Sequence, residues 1–425
     1  MLRRRKKKDI PRKRLISNNS PRNLLFIFEI LSLSLLFIYQ GGDIDRYTLI
    51  TGIGLVVLIY ISNFALNKLS HGDNYIFLIT TMLISIGVVM IYRIDPELGV
   101  KQLIWTAAGI GVFFISYMVI KFVRGWDKGI YLYIAATYIA FALTFAFGMR
   151  KWGALNWIQI GSITIQPSEI IKIIIIFVLA SFYSNKDKFG KIKHSSYYLT
   201  ALMYTFILLS FMQRDLGTAL VFYAVFFLIQ FIYEDNRKLI LYNLGLFTIS
   251  GTLGYFIFDH VKIRFQSWLN PWKYIESQGY QITQSLFAIA EGGFFGKGLG
   301  LGNPDFIPVV YTDFIFSAIC EEMGIFTGIG VIMLFMILVY RGFKIAIGQE
   351  NMFYRILAIG ISSLFGIQSF IILGGVLKMI PLTGITLPFV SYGGSSMIAS
   401  FIALGILQAC SEEIRVKDGS DDQRI

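Results

Sequence analysis

Residues 216–233 read Leu-Gly-Thr-Ala-Leu-Val-Phe-Tyr-Ala-Val-Phe-Phe-Leu-Ile-Gln-Phe-Ile-Tyr, and no side chain in the run is charged. A bilayer core of about 30 Å takes about twenty such residues in a helix. Just before it stand Arg214 and Asp215, and before those a second apolar run, 197–212. Two ionisable residues therefore sit in a tight hairpin between two apolar helices, with Gly217 allowing close backbone approach.

The same reading extends in both directions. Further runs lie at about 24–40, 47–66, 75–94, 102–121, 130–148, 168–183, 239–258, 313–340, 353–377 and 388–410, making twelve expected crossings. Composition agrees: of 425 residues, 55% are hydrophobic and 15% charged, against about 25% charged in soluble domains. Too few polar groups remain to wet a soluble surface of this size. Disorder, a disulfide-stapled secreted domain and an ordinary cytosolic enzyme are excluded. The expected fold is an all-α polytopic membrane protein. Cys320 and Cys410 lie inside apolar runs, and His71, His194 and His260 are scattered, so no metal site is implied.

Ten Lys/Arg against Asp9 alone place nine of the twelve net positive charges in residues 1–22. A basic tail beside a hydrophobic helix marks the cytoplasmic side and attracts anionic lipid. No reader motif follows it, so nucleic acid is not an expected partner. No cleavage-site pattern follows the first run, so a signal peptide is not expected either. With the N-terminus inside, alternate connections should be basic. They hold Lys68; Lys121, Arg124 and Lys128; Lys186, Lys188, Lys191 and Lys193; Arg237 and Lys238; and Arg341 and Lys344. The alternation supports twelve crossings with both termini cytoplasmic. The expected divisions are a tail at 1–22, two helices at 23–70, a membrane core at 71–410 and a tail at 411–425.

The other connections are then extracytoplasmic: 149–167, Gln213–Asp215, a large loop at 259–312, and Leu377–Leu387. They mix Gly, Pro and Trp with paired ionisable groups, which suits a site better than a connector. Ionisable residues at membrane depth are functional candidates by default. Glu169 and Lys172 are spaced to pair on one helical face after Pro167. Asp313 lies near the outer end of a helix that carries Glu321 and Glu322 about two turns deeper. Lys378 ends the eleventh run, where it could equally snorkel. The run Glu291–Gly302 lacks the Ser/Thr and the preceding strand of a nucleotide-binding loop, but its glycine amides could cradle a diphosphate. A second run, Pro381–Ser396, enters the last helix and is tolerable at that depth only beside a cavity or inside protein.

Four stretches, in this order, resemble the SEDS family (shape, elongation, division and sporulation). They are Gly153-Ala154 with Trp157 and Gln166-Pro-Ser-Glu169 with Lys172; Gln213-Arg-Asp-Leu-Gly-Thr-Ala219; Gly279-Tyr-Gln-Ile-Thr-Gln-Ser285 with the glycine run, Thr312–Phe316 and Glu321-Glu322; and Lys378 through Ser396. The resemblance covers about residues 75–410, a ten-helix core, and leaves the first two helices as an addition. It implies a peptidoglycan glycosyltransferase of the bacterial cytoplasmic membrane. Such an enzyme polymerises lipid II on the outer face beside a class B penicillin-binding protein. Glycosyl transfer needs a base at the acceptor hydroxyl and cations on the departing diphosphate. Candidate cations are Arg150, Lys151, Lys172, Arg214, Arg264, Lys273, Lys297 and Lys378. Glu169 pairs with Lys172 in the family pattern, while Asp215, Ser391 and Tyr392 join the substrate-binding candidates.

Two departures stand out. Asn156 replaces an Arg common before the Trp of the first motif. Tyr274 stands where the family has its catalytic Asp, and a phenol with a pKa near 10 is a poor base. Glu276, two residues on, and Asp313 are the candidate catalytic carboxylates. No cofactor is required by the residues, and a divalent cation is left open. Besides an active polymerase, the sequence admits a lipid II-binding scaffold that activates a partner, or a transporter of lipid-linked precursors.

Overall fold

A computed structural model describes residues 19–39, 46–151, 153–161, 163–189 and 194–412. The basic tail through residue 18, Lys191, Lys193 and the C-terminal tail from 413 lie outside the described residues. Fifteen helices are described: α1 (Asn19–Tyr39), α2 (Arg46–Leu69), α3 (Tyr75–Ile94), α4 (Pro96–Phe122), α5 (Ile130–Phe147), α6 (Pro167–Ser184), α7 (Lys186–Phe189), α8 (Ser195–Met212), α9 (Leu216–Tyr233), α10 (Arg237–Ile257), α11 (Asp259–Leu269), α12 (Tyr280–Gly292), α13 (Ile315–Gly348), α14 (Met352–Val376) and α15 (Gly394–Cys410). Among the described residues, ten helices are long and apolar enough to cross a membrane. The chain is a multi-pass helical membrane protein. The other two expected crossings correspond to α1 and to α15, an apolar helix of seventeen residues.

Helices that are apolar all round belong in the interior of a bundle, and those with one buried stripe belong at its rim. Accordingly α3, α6, α14 and α15 are buried on nearly every side. By contrast α5, α8 and α10 bury only a stripe and turn side chains such as Leu132, Leu208 and Phe256 outward. Several helix starts are fixed by their own residues. The Asp95 carboxylate accepts from the amides of Glu97 and Leu98, with Pro96 in the first turn of α4. Asp215 caps α9 through Thr218 N–H, and Asn351 caps α14.

Three features correct the sequence expectation. The connection 149–167 is not a bare loop: β1 (Gly148–Lys151), β2 (Ala154–Ile160) and β3 (Ile163–Ile165) form an antiparallel sheet in that order. Positive-φ Gly153 and Gly161 make its turns. The polytopic helical fold thus carries one small sheet in this connection. The large loop at 259–312 contains α11 and α12. And the last apolar run is helical only from Gly394, because residues 388–393 form a turn packed inside the protein. A bilayer tolerates irregular backbone at that depth on those terms alone.

Candidate functional site

Polar groups from five segments converge at one end of the bundle. The α8–α9 turn supplies Asp215, which is buried. Its Oδ2 accepts from Asn156 Nδ2 of β2 at 2.8 Å and from Gln166 Nε2 ahead of α6 at 3.4 Å. The sheet is fastened to that turn by Leu155 N–H, which donates to Gln213 O at 2.9 Å. Asn156 thus supplies a neutral donor to Asp215. Arg214, exposed in the same turn, holds a left-handed backbone (φ 60°).

Arg264 of α11 lies within electrostatic reach of both Asp215 and Asp313, and its Nη1 donates to Leu382 O at 2.7 Å. Burial draws the guanidinium down from its ordinary pKa, and the two carboxylates oppose that. Asp313 precedes α13. Burial pushes its carboxyl up to about 6, against the pull of Arg264 and a hydrogen bond from Thr312. Gly384, with φ 76°, faces both groups: a side chain there would stand 3.6 Å from Asp313 Oδ2 and 3.7 Å from Arg264 Nη2. Its backbone therefore packs directly against the carboxylate and the guanidinium. His260, one turn before Arg264, is held below its ordinary pKa by burial and then by Arg214 and Arg264.

Deeper in the bundle, Lys172 Nζ lies 2.8 Å from both Glu169 oxygens. Gln368 Oε1 of α14 completes its shell at 3.1 Å. Gln368 Nε2 then donates to Thr386 O at 2.9 Å, and Thr386 Oγ1 lies 2.7 Å from Ser396 Oγ. A buried ion pair is therefore wired to the loop that carries Gly384. Gln368 left no sequence signal, being one amide in an apolar run.

The glycine run does something other than cradle a ligand. It pairs with a break in α13 at Gly324 (φ 83°, ψ 163°). Lys297 and Gly298 amides donate to Glu321 O and Glu322 O at 2.9 and 3.0 Å, and Ile325 and Phe326 amides donate back to Gly293 O and Phe294 O. The carboxylates take further amides: Gly300 N–H to Glu322 Oε2 at 2.9 Å and Asn303 N–H to Glu321 Oε1 at 2.8 Å. Arg93 closes the cluster on Glu322 at 3.1 Å and on Gly300 and Gly302 carbonyls. Lys297 is paired with Glu291 and, at 3.5 Å, with Glu321. The amides of the run are thus occupied by carbonyls and carboxylates of the protein itself, and the Lys297 ammonium by Glu291 and Glu321.

The remaining candidates are scattered. Ser391 is buried with its hydroxyl on backbone partners. Tyr392 is half-buried, edge-on to Tyr311 at 5.7 Å. Lys378 is half-buried, with a left-handed backbone (φ 58°) and a carbonyl that accepts from Trp268 Nε1. Tyr274 ends a short 3-10 turn, and Glu276 is exposed beyond it with no ion pair among the described residues.

A multi-pass helical bundle with a buried ion pair and a carboxylate–guanidinium cluster at one end is the class the fold and site define. The family of cell cycle proteins typified by FtsW, RodA and SpoVE matches residues 73–416. The peptidoglycan glycosyltransferase RodA of Mycobacterium leprae is 34% identical over 368 residues, 81% of this chain and 79% of that protein. Stage V sporulation protein E of Bacillus subtilis is 35% identical over 356 residues, covering 80% and 97%. A chain of a solved peptidoglycan synthase complex, from a study of how polymerisation and crosslinking are coordinated, aligns with a TM-score of 0.67 at 25% identity, over 80% of this chain and 97% of that one. Thermus thermophilus RodA aligns at 0.57, with 25% identity and coverage of 80% and 96%. The chain belongs to the FtsW, RodA and SpoVE family, the SEDS proteins, whose curated relatives include named peptidoglycan glycosyltransferases.

Proposed function

We propose that this chain polymerises lipid II into glycan strands at the outer face of the bacterial cytoplasmic membrane, beside a class B penicillin-binding protein. The observation that carries the reading is Asp313, part-buried just before α13, with Arg264 in electrostatic reach and Gly384 packed against both. Asp313 accepts the proton of the acceptor hydroxyl as that oxygen attacks the anomeric carbon of the donor. The bond from that carbon to the diphosphate oxygen breaks, and the lipid diphosphate leaves with its charge met by Arg264 and Arg214. A carboxyl pushed up to about 6 is mostly ionised at neutral pH yet more basic than an ordinary one. Glu169–Lys172 supports the loop from beneath. The first two helices are an addition to the family core.

Both termini are cytoplasmic in this reading, supported by the Lys/Arg alternation. Single cysteines at Ser277 and Asp187, both exposed, test it with an impermeant maleimide on intact cells. Labelling is expected at Ser277→Cys alone, and labelling at Asp187→Cys alone would invert the topology. The activity is tested with purified chain, its partner and lipid II, by resolving glycan strands on a gel. A ladder of strands is expected. Lipid II binding with no strands formed would favour the scaffold, a reading that Tyr274 supports. In that case Tyr274→Asp should raise synthesis.

A further inference from the structure

The hydroxyl of Ser391 has two partners and both are backbone. It donates to Thr312 O at 2.6 Å and accepts from Leu387 N–H at 2.9 Å. The next residue repeats the grip, with Tyr392 N–H donating to Tyr311 O at 2.8 Å. Two successive peptide planes directly before Asp313 are thus pinned to the 387–392 turn. That turn is itself held. Its Phe389 keeps a left-handed backbone (φ 67°), costly for an aromatic residue, with its ring between Phe365 and Phe401. α3 passes so close that a Cβ on Gly87 would fall 2.5 Å from Val390 O. From α4, Gln102 Nε2 donates to Ser391 O at 3.1 Å. Gln102 is fully buried and its Oε1 has no hydrogen-bond partner among the described residues. An amide kept there at the cost of an unmet carbonyl is a poor way to gain stability.

We infer that Ser391 and Gln102 are positioning residues: together they hold the backbone that aims Asp313 at the acceptor hydroxyl. The inference rests on Asp313 being the base. A displacement of about 1 Å in a reacting group costs on the order of 100-fold in rate, so loosening the grip on Thr312 acts on turnover and not on substrate affinity. Neither side chain needs to touch substrate.

The test uses the full chain with its partner and lipid II. Ser391→Ala is expected to lower kcat about 100-fold with KM unchanged. In an Asp313→Glu background, where the carboxylate is already displaced, it should add little, because effects that act through one group are not additive. Gln102→Met removes both the donor and the orphaned carbonyl. It should keep the wild-type unfolding temperature while lowering kcat, which keeps the inference testable if Ser391→Ala fails to fold. A raised KM at full kcat, or equal losses from Ser391→Ala in both backgrounds, would overturn the inference and make Ser391 a substrate contact. Full synthesis by Asp313→Asn would instead sink the reading of Asp313 as base. Loss in Asp313→Asn with full kcat in both Ser391→Ala and Gln102→Met would leave the base and sink only the grip.

Discussion

Asp313→Asn, purified with its partner, is expected to lose strand synthesis by about 10²–10⁴-fold while still binding lipid II. Asn keeps the size of the side chain and one acceptor oxygen and removes its basicity. Glu276→Gln is expected to stay close to wild type, because Glu276 is exposed in the turn before α12 with no partner to orient it among the described residues. The two variants together decide which carboxylate replaces the one absent at Tyr274. Loss in Glu276→Gln with full activity in Asp313→Asn would return the base to the loop. The pH profile gives a second reading. A base must be deprotonated to act, and burial pushes the Asp313 carboxyl up to about 6. The rate should therefore fall as pH drops through about 6.

Much of this architecture was legible because lipid imposes a coarse grammar. An uncharged run such as 216–233 has one stable form in a bilayer, and α9 matches it residue for residue. The Glu169–Lys172 pair was legible for a related reason: an i, i+3 spacing after Pro167 fixes the geometry before any tertiary contact forms. What escaped the sequence depends on tertiary partners. The strands at 148–165 are short, and β3 shows no hydrophobic alternation strong enough to announce itself. Their register is set by turns at Gly153 and Gly161 and by docking on Gln213. The glycine run looked like a free amide cradle, since nothing local reveals that α13 breaks at Gly324 and lends its carbonyls to those amides.

The site divided the same way. Asp215, Arg264 and Asp313 were named from charge at the membrane boundary, but not their mutual facing, which needs α11 to fold back over the loop at Leu382. Ser391 belongs to a run whose hydroxyls are tolerable at membrane depth either beside a cavity or inside protein, and the sequence does not say which. Folding gives it two backbone partners. Gln102 and Gln368 carried no signal at all. Each is a lone amide inside an apolar helix, and its meaning lies in the loop carbonyl it reaches, Ser391 O or Thr386 O.

Removing one member of the Glu169–Lys172 pair should produce the largest loss of stability in the chain. The two residues are only 6% and 4% exposed, and Lys172 Nζ makes three contacts of 2.8–3.1 Å, to both Glu169 oxygens and to Gln368. Water cannot solvate whichever charge is left behind. Lys172→Ala strands a carboxylate, and Glu169→Ala strands an ammonium group, although Gln368 still partners it. Each should cost about 3–5 kcal/mol, read as thermal unfolding of the detergent-solubilised protein, with Lys172→Ala the worse. The double change Glu169→Gln, Lys172→Met removes both charges and keeps comparable volume. Buried ion pairs replaced by neutral groups of similar size are often no less stable, so the double variant should recover most of the unfolding temperature. It should also keep the Gln368–Thr386 link and with it the seat of the loop beneath Gly384. A double variant as unstable as either single change would mean that the charges themselves, and not merely their neutrality, hold α6 to α14.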